Sequence, residues 1–175
     1  YPEEYAIIQT TLAFAYFKSQ ERNQRENLRQ ATTCCNESLK IHTKESFPEK
    51  WAAIQLGLAM IYSKQAKETP KKSTKQMFSA FSLALEVYTQ KKFPKEWAEI
   101  HTSIGLEYNQ CDYGERRDNL ERAIHAFQQA LLVYDRDTYS KEWAKIHSEL
   151  TISYLYRIEG ERSNNIEQAI RSSKL

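Results

Sequence analysis

The stretch FPKEWAEIHTSIGLEY, Phe93 to Tyr108, is a near copy of FPEKWAAIQLGLAMIY, Phe47 to Tyr62. The two lie 46 residues apart, and the same offset aligns the rest of the chain without a gap. Trp51, Trp97 and Trp143 fall into one column, with Tyr5 in the remaining place. Ala6, Ala52, Ala98 and Ala144 form a uniform column. So do Ile8, Ile54, Ile100 and Ile146, and Tyr16, Tyr62, Tyr108 and Tyr154. Tyr1, Phe47, Phe93 and Tyr139 make an aromatic column. A fixed period held over four copies marks a repeat array. The repeats are 1–46, 47–92, 93–138 and 139–175, the last incomplete, and they form a single array over 1–175. The interrupted fourth copy reads as a fragment of a larger protein.

Within the third repeat, Pro94 suits the first turn of a helix, where its missing N–H has no partner to lose. Trp97, Ile100, Ile104 and Tyr108 follow at spacings of three and four, the apolar stripe of an amphipathic helix. Gly105 shares that side and admits a second helix at close range. Cys111-Asp112-Tyr113-Gly114 reads as a turn. A second stripe follows in Leu120, Ala123, Ile124, Phe127 and Leu131, with Tyr134 beyond it. Asp135 to Thr138 forms the next connection. Each repeat is thus a helix, a loop, a second helix and a loop, giving seven helices and a shortened eighth. The expected fold class is all-α.

Few glycines and prolines, four of each in 175 residues, suit long helices. The negative mean hydropathy and the 27% of charged residues indicate a soluble chain. No apolar run reaches the ~18 residues of a membrane span. Cys34, Cys35 and Cys111 are odd in number and two are adjacent, which does not resemble a disulfide framework and fits reduced thiols in the cytoplasm. Asn36-Glu37-Ser38 matches a glycosylation sequon but falls in a predicted helix. Charge is distributed unevenly: the repeats carry net 0, +5, −4 and +1 in order. The pattern is polarised between the middle repeats and is not that of a uniformly basic nucleic-acid binder.

Ile104-Gly105-x-x-Tyr108, followed by Ala123-x-x-x-Phe127 and Ala130, resembles the tetratricopeptide repeat. The other first helices carry Leu12-Ala13-x-x-Tyr16, Leu58-Ala59-x-x-Tyr62 and Leu150-Thr151-x-x-Tyr154, and the second-helix alanine column reads Ala31, Met77, Ala123 and Ala169. The period departs from the family's usual ~34 residues, and the extra length is expected to split between the connections, roughly six residues to each. The family's tryptophan place holds Gln9, Gln55, His101 and His147, and the tryptophan stands one turn earlier. Gly114-Glu115-Arg116 and Asn119-Leu120-Glu121 recur as Gly160-Glu161-Arg162 and Asn165-Ile166-Glu167. With the F-P-x-x-W-A opening, the chain resembles a long variant found in large bacterial proteins, notably cyanobacterial ones, where such arrays are joined to caspase-like peptidase or signalling ATPase domains. The resemblance implies a right-handed superhelical solenoid of antiparallel helix pairs.

The columns carry little catalytic chemistry. The Trp and Tyr columns share a face with the Ile column and are expected to pack between repeats, with the Tyr hydroxyls bonded at the core edge. His101 and His147 are aligned but lack the four ligands of a zinc site. A ladder of Gln and His, hydrogen-bonded between repeats, is the expected role. Cys34 and Cys35 align with packing positions, Cys111 sits at a loop, and no catalytic residue, metal ligand or cofactor motif is assigned. The segment is therefore not expected to be an enzyme.

The resemblance places the functional surface on the concave groove lined by the first helices. Phe14, Met60, Leu106 and Ile152 form a column that is apolar in every repeat, and Phe17 and Asn109 flank it. These six are the candidate binding residues, set against the alternative that the helices cover the column themselves. The paired Lys and Asn with which chaperone-binding members of the family clamp a carboxylate are missing. The lysines from Lys64 to Lys75 are expected in a loop. The expected function is a protein-interaction scaffold binding a peptide or protein partner, with self-association through the repeat ends. Two other readings stand beside it: a sensor array controlling an attached enzyme such as a caspase-like peptidase, and a nucleic-acid-binding solenoid.

Overall fold

A computed structural model describes residues 1–19, 23–157 and 160–173. Eight helices account for it, with no strand among the described residues. They are α1 (Pro2–Lys18), α2 (Gln24–Leu39), α3 (Pro48–Gln65), α4 (Pro70–Leu85), α5 (Pro94–Gln110), α6 (Arg116–Ala130), α7 (Ser140–Leu155) and α8 (Arg162–Ser173). The chain divides into two compact units, Tyr1–Tyr88 with α1 to α4 and Thr89–Leu175 with α5 to α8. Each unit holds two helix pairs. The second helix of its first pair packs on the first helix of its second pair, α2 on α3 and α6 on α7.

The aromatic column starts each later pair. The Trp51 amide donates to the Phe47 carbonyl at 2.9 Å, Trp97 to Phe93 at 2.9 Å, and Trp143 to Tyr139 at 2.8 Å. Pro48 and Pro94 occupy the following position, as expected from their lack of an N–H. A tyrosine at the end of the pair returns to this start. The Tyr88 hydroxyl donates to the Glu49 carbonyl at 3.2 Å, and Tyr134 to Lys95 at 3.4 Å, one repeat later. The pairs are therefore antiparallel. In the first repeat the column place belongs to His42, whose Nδ1 meets the Ser38 hydroxyl at 3.1 Å. Ser38 donates in turn to the Ala6 carbonyl at 3.0 Å and meets Thr10 at 2.9 Å. Ser38 of the glycosylation-like triplet is thus a buried link between α1 and α2.

The connections differ from the even split expected. Inside a repeat, four residues join α3 to α4 and five join α5 to α6. Between repeats, eight join α2 to α3 and nine join α6 to α7. The α5–α6 turn is held by Gly114 at φ +91° and by the Asn119 amide, which donates to the Cys111 and Tyr113 carbonyls at 3.2 and 3.1 Å. Gly160 at φ +80°, with Asn165 donating to the Arg157 carbonyl, repeats the device 46 residues on. A positive φ favours glycine because no Cβ obstructs it.

Packing inside the second unit centres on Phe127, Tyr134, Ile146 and Leu150 with Ala98, Ala123 and Ala130. Gly105 faces Phe127 so closely that a Cβ there would lie 2.5 Å from Cε1 of that buried ring. The close approach expected at Gly105 is thereby accounted for. The tryptophans are only half-buried, and Trp97 packs at the edge of this core. Its removal costs less than the ~3–5 kcal/mol of a fully enclosed ring.

Two glycines near the middle of helices give opposite expectations. Gly105→Ala is expected to destabilise the protein by about 1–3 kcal/mol, the cost of forcing a methyl against a fixed ring. A Cβ at Gly57 meets nothing within 4 Å. Gly57→Ala is expected to stabilise by about 0.5–1 kcal/mol through helix propensity alone. Denaturant unfolding of the two variants checks both signs.

Candidate functional site

In the first unit, the first helices of its two pairs border an apolar cleft of about 220 Å³. Phe14 and Phe17 reach it from α1, Gly57, Met60 and Ile61 from α3, and the buried Cys35 lies behind them. Phe14 is 62% exposed and Met60 53% exposed, so two large apolar side chains face open space at its mouth. The cleft owes its depth to Gly57, in front of which there is no atom to meet a side chain. One cation, Lys18, lines it, and a second, Lys64, stands on the ring of its lining residue Phe17. The Lys18 amine lies 5.5 Å from the Phe14 ring centre, and the Lys64 amine lies 3.9 Å from that of Phe17 while donating to the Phe17 carbonyl at 3.3 Å. An ammonium over an aromatic face is attracted by the ring quadrupole and keeps N–H donors on its outer side.

The corresponding place in the second unit has different chemistry. Two repeats along from Phe17, Gly57 and Ile61 stand Asn109, Glu149 and Ser153. The Asn109 amide donates to the Glu149 carboxylate at 3.3 Å, and the Ser153 hydroxyl donates to the Asn109 carbonyl oxygen at 2.9 Å. This bridge ties α5 to α7 where the first unit keeps a cleft. Asn109, a candidate ligand from the sequence, spends both ends of its amide on it. Leu106 is half-buried against the core of its unit and Ile152 is 41% exposed. The six candidates therefore separate: Phe14, Phe17 and Met60 share the cleft, while Leu106, Asn109 and Ile152 belong to the bridged unit.

Gly57, Lys18 and Lys64 were not among the candidates. The available signal was a glycine in a long helix at a place where no turn is needed. The lysines from 64 to 75 do not form a loop: Lys64 lies in α3, and Lys71, Lys72 and Lys75 lie in α4. Only 66–69 connect the two helices, because Pro70 starts α4 early.

A more open hollow of about 370 Å³ in the second unit is lined by His101, Tyr108, Glu121, Arg122 and His125, among others. Its acid is already engaged. Glu121 accepts from Arg157 Nε and Nη2 at 2.7 and 2.9 Å, a two-pronged pair between α6 and the end of α7. Arg122 lies over the Tyr108 ring and donates to its hydroxyl at 3.5 Å. The Tyr154 hydroxyl accepts from Gln128 at 3.3 Å, so these tyrosines find partners at the core edge. Among the described residues, no group of three or more His, Cys, Asp or Glu is placed to hold a metal ion.

At the two histidines of the expected Gln and His ladder, the structure shows instead a contact within each helix. The Trp97 and His101 ring centres are 4.3 Å apart, and those of Trp143 and His147 4.4 Å. No hydrogen bond joins His101 to His147 among the described residues, because each ring lies against the indole one turn before it. Burial, with a smaller contribution from His125, holds His101 well below the usual histidine range, at about 4. Burial also lowers His147 and His42. For the cysteines, burial pushes Cys35 up to about 12, with Cys34 adding to the shift, and Cys34 itself is raised. Neither is an activated nucleophile, since the thiolate is the reactive form. The Cys111 thiol donates to the Tyr113 carbonyl at 3.2 Å. No helix of the described residues is long and apolar enough to cross a membrane.

The half-buried imidazole of His101 sets a pH dependence. Below the ordinary value of 6.5 the unfolded chain takes up a proton that the folded chain refuses until about 4. The contribution is therefore fully present above pH 6.5 and is lost as pH falls towards 4. His101→Gln, which installs the residue found at this column in repeats one and two, is expected to flatten the decline. Unfolding midpoints of wild type and variant at neutral and mildly acidic pH make the comparison.

Comparison with protein-family models, with curated proteins and with solved structures found no match for this chain.

Proposed function

We propose that this chain is a protein-interaction module of tetratricopeptide type, a helical-repeat solenoid whose cleft between α1 and α3 receives a segment of a partner protein. The observation that carries the reading is the cleft itself. A half-open Phe14 and Met60 border a space that the glycine at 57 leaves empty. Exposed apolar surface in a concavity costs solvation free energy that a bound side chain recovers. The constant repeat period and the antiparallel pairs support a helical-repeat solenoid, and the Gly, Tyr and Ala columns are what the family reading adds.

The chemistry around the cleft defines the ligand. One apolar side chain fits between Phe14 and Met60. A carboxylate beside it reaches the ammonium groups at the cleft edge, Lys18 and Lys64. The net +5 charge of the second repeat adds a longer-range attraction for an acidic segment. Exposed charges of this kind act mainly on association rate, so added salt slows association more than it hastens release.

Peptides selected from a random library against the whole chain test the reading. Those retained are expected to pair an apolar residue with a neighbouring Asp or Glu. Gly57→Leu, which fills the cleft, and Met60→Glu, which places a carboxylate at its mouth, are each expected to weaken them by at least about tenfold, or ~1.4 kcal/mol. The helical circular-dichroism signal should persist, since neither change touches the buried core. Peptides that bind both variants as tightly as wild type would place the interaction surface elsewhere.

A further inference from the structure

The lysines of the first unit are sorted by end. Helices α1 and α3 finish side by side, where Lys64 donates to the Phe17 carbonyl. The α3–α4 turn lies at the same end, with Arg25 at the start of α2 lying 3.4 Å from its Glu68. At the opposite end every lysine has a carboxylate: Lys40 meets Glu37, Lys44 meets Glu86 and Lys50 meets Glu3. At the α3–α4 turn the carboxylates are already taken, Glu68 by Arg25 and Glu26 by Arg29. Lys67, Lys71, Lys72 and Lys75 stand exposed there and meet no carboxylate among the described residues. Lys18 and Lys64 lie over rings instead. The lysines that lack a carboxylate are thus gathered at one end of the unit.

The repeat shows that helix pairing does not require this. The places of Lys72 and Lys75 hold Glu26 and Arg29 in the first repeat, which pair with each other, and Asp118 and Glu121 in the third. Helix α4 also has no acid in its first turn, whereas α1, α2 and α3 carry Glu3, Glu26 and Glu49 in theirs. The start of a helix favours negative charge, and like charges three or four residues apart repel. Lys71, Lys72 and Lys75 therefore oppose both the helix dipole and one another. Their exposed side chains make no contact in the unit that offsets this, and an anion from outside relieves both terms.

We propose that this end of the first unit is a docking surface for an acidic stretch of a partner protein, whose carboxylates lie over Lys67, Lys71, Lys72 and Lys75. An ammonium on a flexible stem meets a carboxylate without a fixed geometry, which suits a run of Asp and Glu. Between Lys64 and Lys75 there is no arginine, whose planar fork suits phosphate, and no aromatic ring on which a base could stack. Carboxylates are favoured over a nucleic acid for that reason. The surface is distinct from the cleft, which Lys18 lines and Lys67, Lys71, Lys72 and Lys75 do not. An acidic stretch docks here whether or not the cleft holds an apolar side chain, so the surface and the cleft succeed or fail separately.

Fluorescence anisotropy of a labelled oligoglutamate peptide, titrated with the whole chain, tests the contact. At about 150 mM salt, charges further than ~8 Å apart are largely screened, so the readout is local. Lys72→Asp with Lys75→Glu installs the residues of the third repeat and is expected to weaken binding roughly tenfold or more. The same variant is expected to have a higher unfolding midpoint, because an acid now stands in the first turn of α4. Weaker binding by a more stable protein does not come from loss of the fold. Lys91→Asp with Lys92→Glu makes the same change of net charge elsewhere and is expected to keep binding within about twofold of wild type. Gly57→Leu, which fills the cleft, is expected to leave it unchanged. A wild type that does not bind, equal binding by the Lys72 and Lys75 variant, an equal loss in the Lys91 and Lys92 variant, or a loss in Gly57→Leu would each overturn the proposal. Tighter binding of an oligothymidylate of the same charge, or of phosphatidylserine vesicles, would assign the surface to phosphate and overturn it as well.

Discussion

A helix that carries apolar residues on more than one side must be covered from more than one side. That constraint organises this chain. Helix α7 is covered by α6 and α8, and Leu150 between them is almost without exposure. The match depends on spacing. A short turn inside the repeat lets α5 and α6 fold back on each other, and a longer connection brings α7 beneath α6. Where the fit is tightest, at Gly105 against Phe127, not even a methyl group is tolerated in the present arrangement. Helices of this length gain most of their stability from such contacts and little from propensity alone.

The same columns serve different ends in the two units. Phe17, Gly57 and Ile61 leave a hollow, while Asn109, Glu149 and Ser153 close the equivalent place with hydrogen bonds. Neither arrangement alters the columns that pair the helices. A repeat permits this because the residues that hold two helices together and the residues that face away from the contact lie on different sides. The outward positions can therefore change chemistry at small structural cost.

Polar groups inside the pairs follow the same economy. His42 replaces the tyrosine of the later repeats and is joined by Ser38 and Thr10 into a small network around the Ala6 carbonyl. Asn119 and Asn165 fasten turns whose glycines have a left-handed backbone. In each case a short side chain hydrogen-bonds a backbone carbonyl and fastens one segment to the next.

The sequence by itself determined the helices, their pairing order and the packing role of Gly105. These follow from periodicity, since a 3.6-residue stripe and a 46-residue repeat are both visible along one dimension. Phe14 and Met60 were likewise legible as outward apolar positions. Tertiary structure alone decided which of those positions share a cleft. The column Phe14, Met60, Leu106 and Ile152 is uniformly apolar in sequence, yet its surroundings depend on residues three positions away that sequence reading ranks as ordinary. An asparagine there reaches across to a glutamate and a serine, whereas a glycine leaves a space. The half-burial of the tryptophans and the histidine–indole contacts were also hidden, because burial depends on neighbours distant in sequence and periodicity records only which side a residue faces.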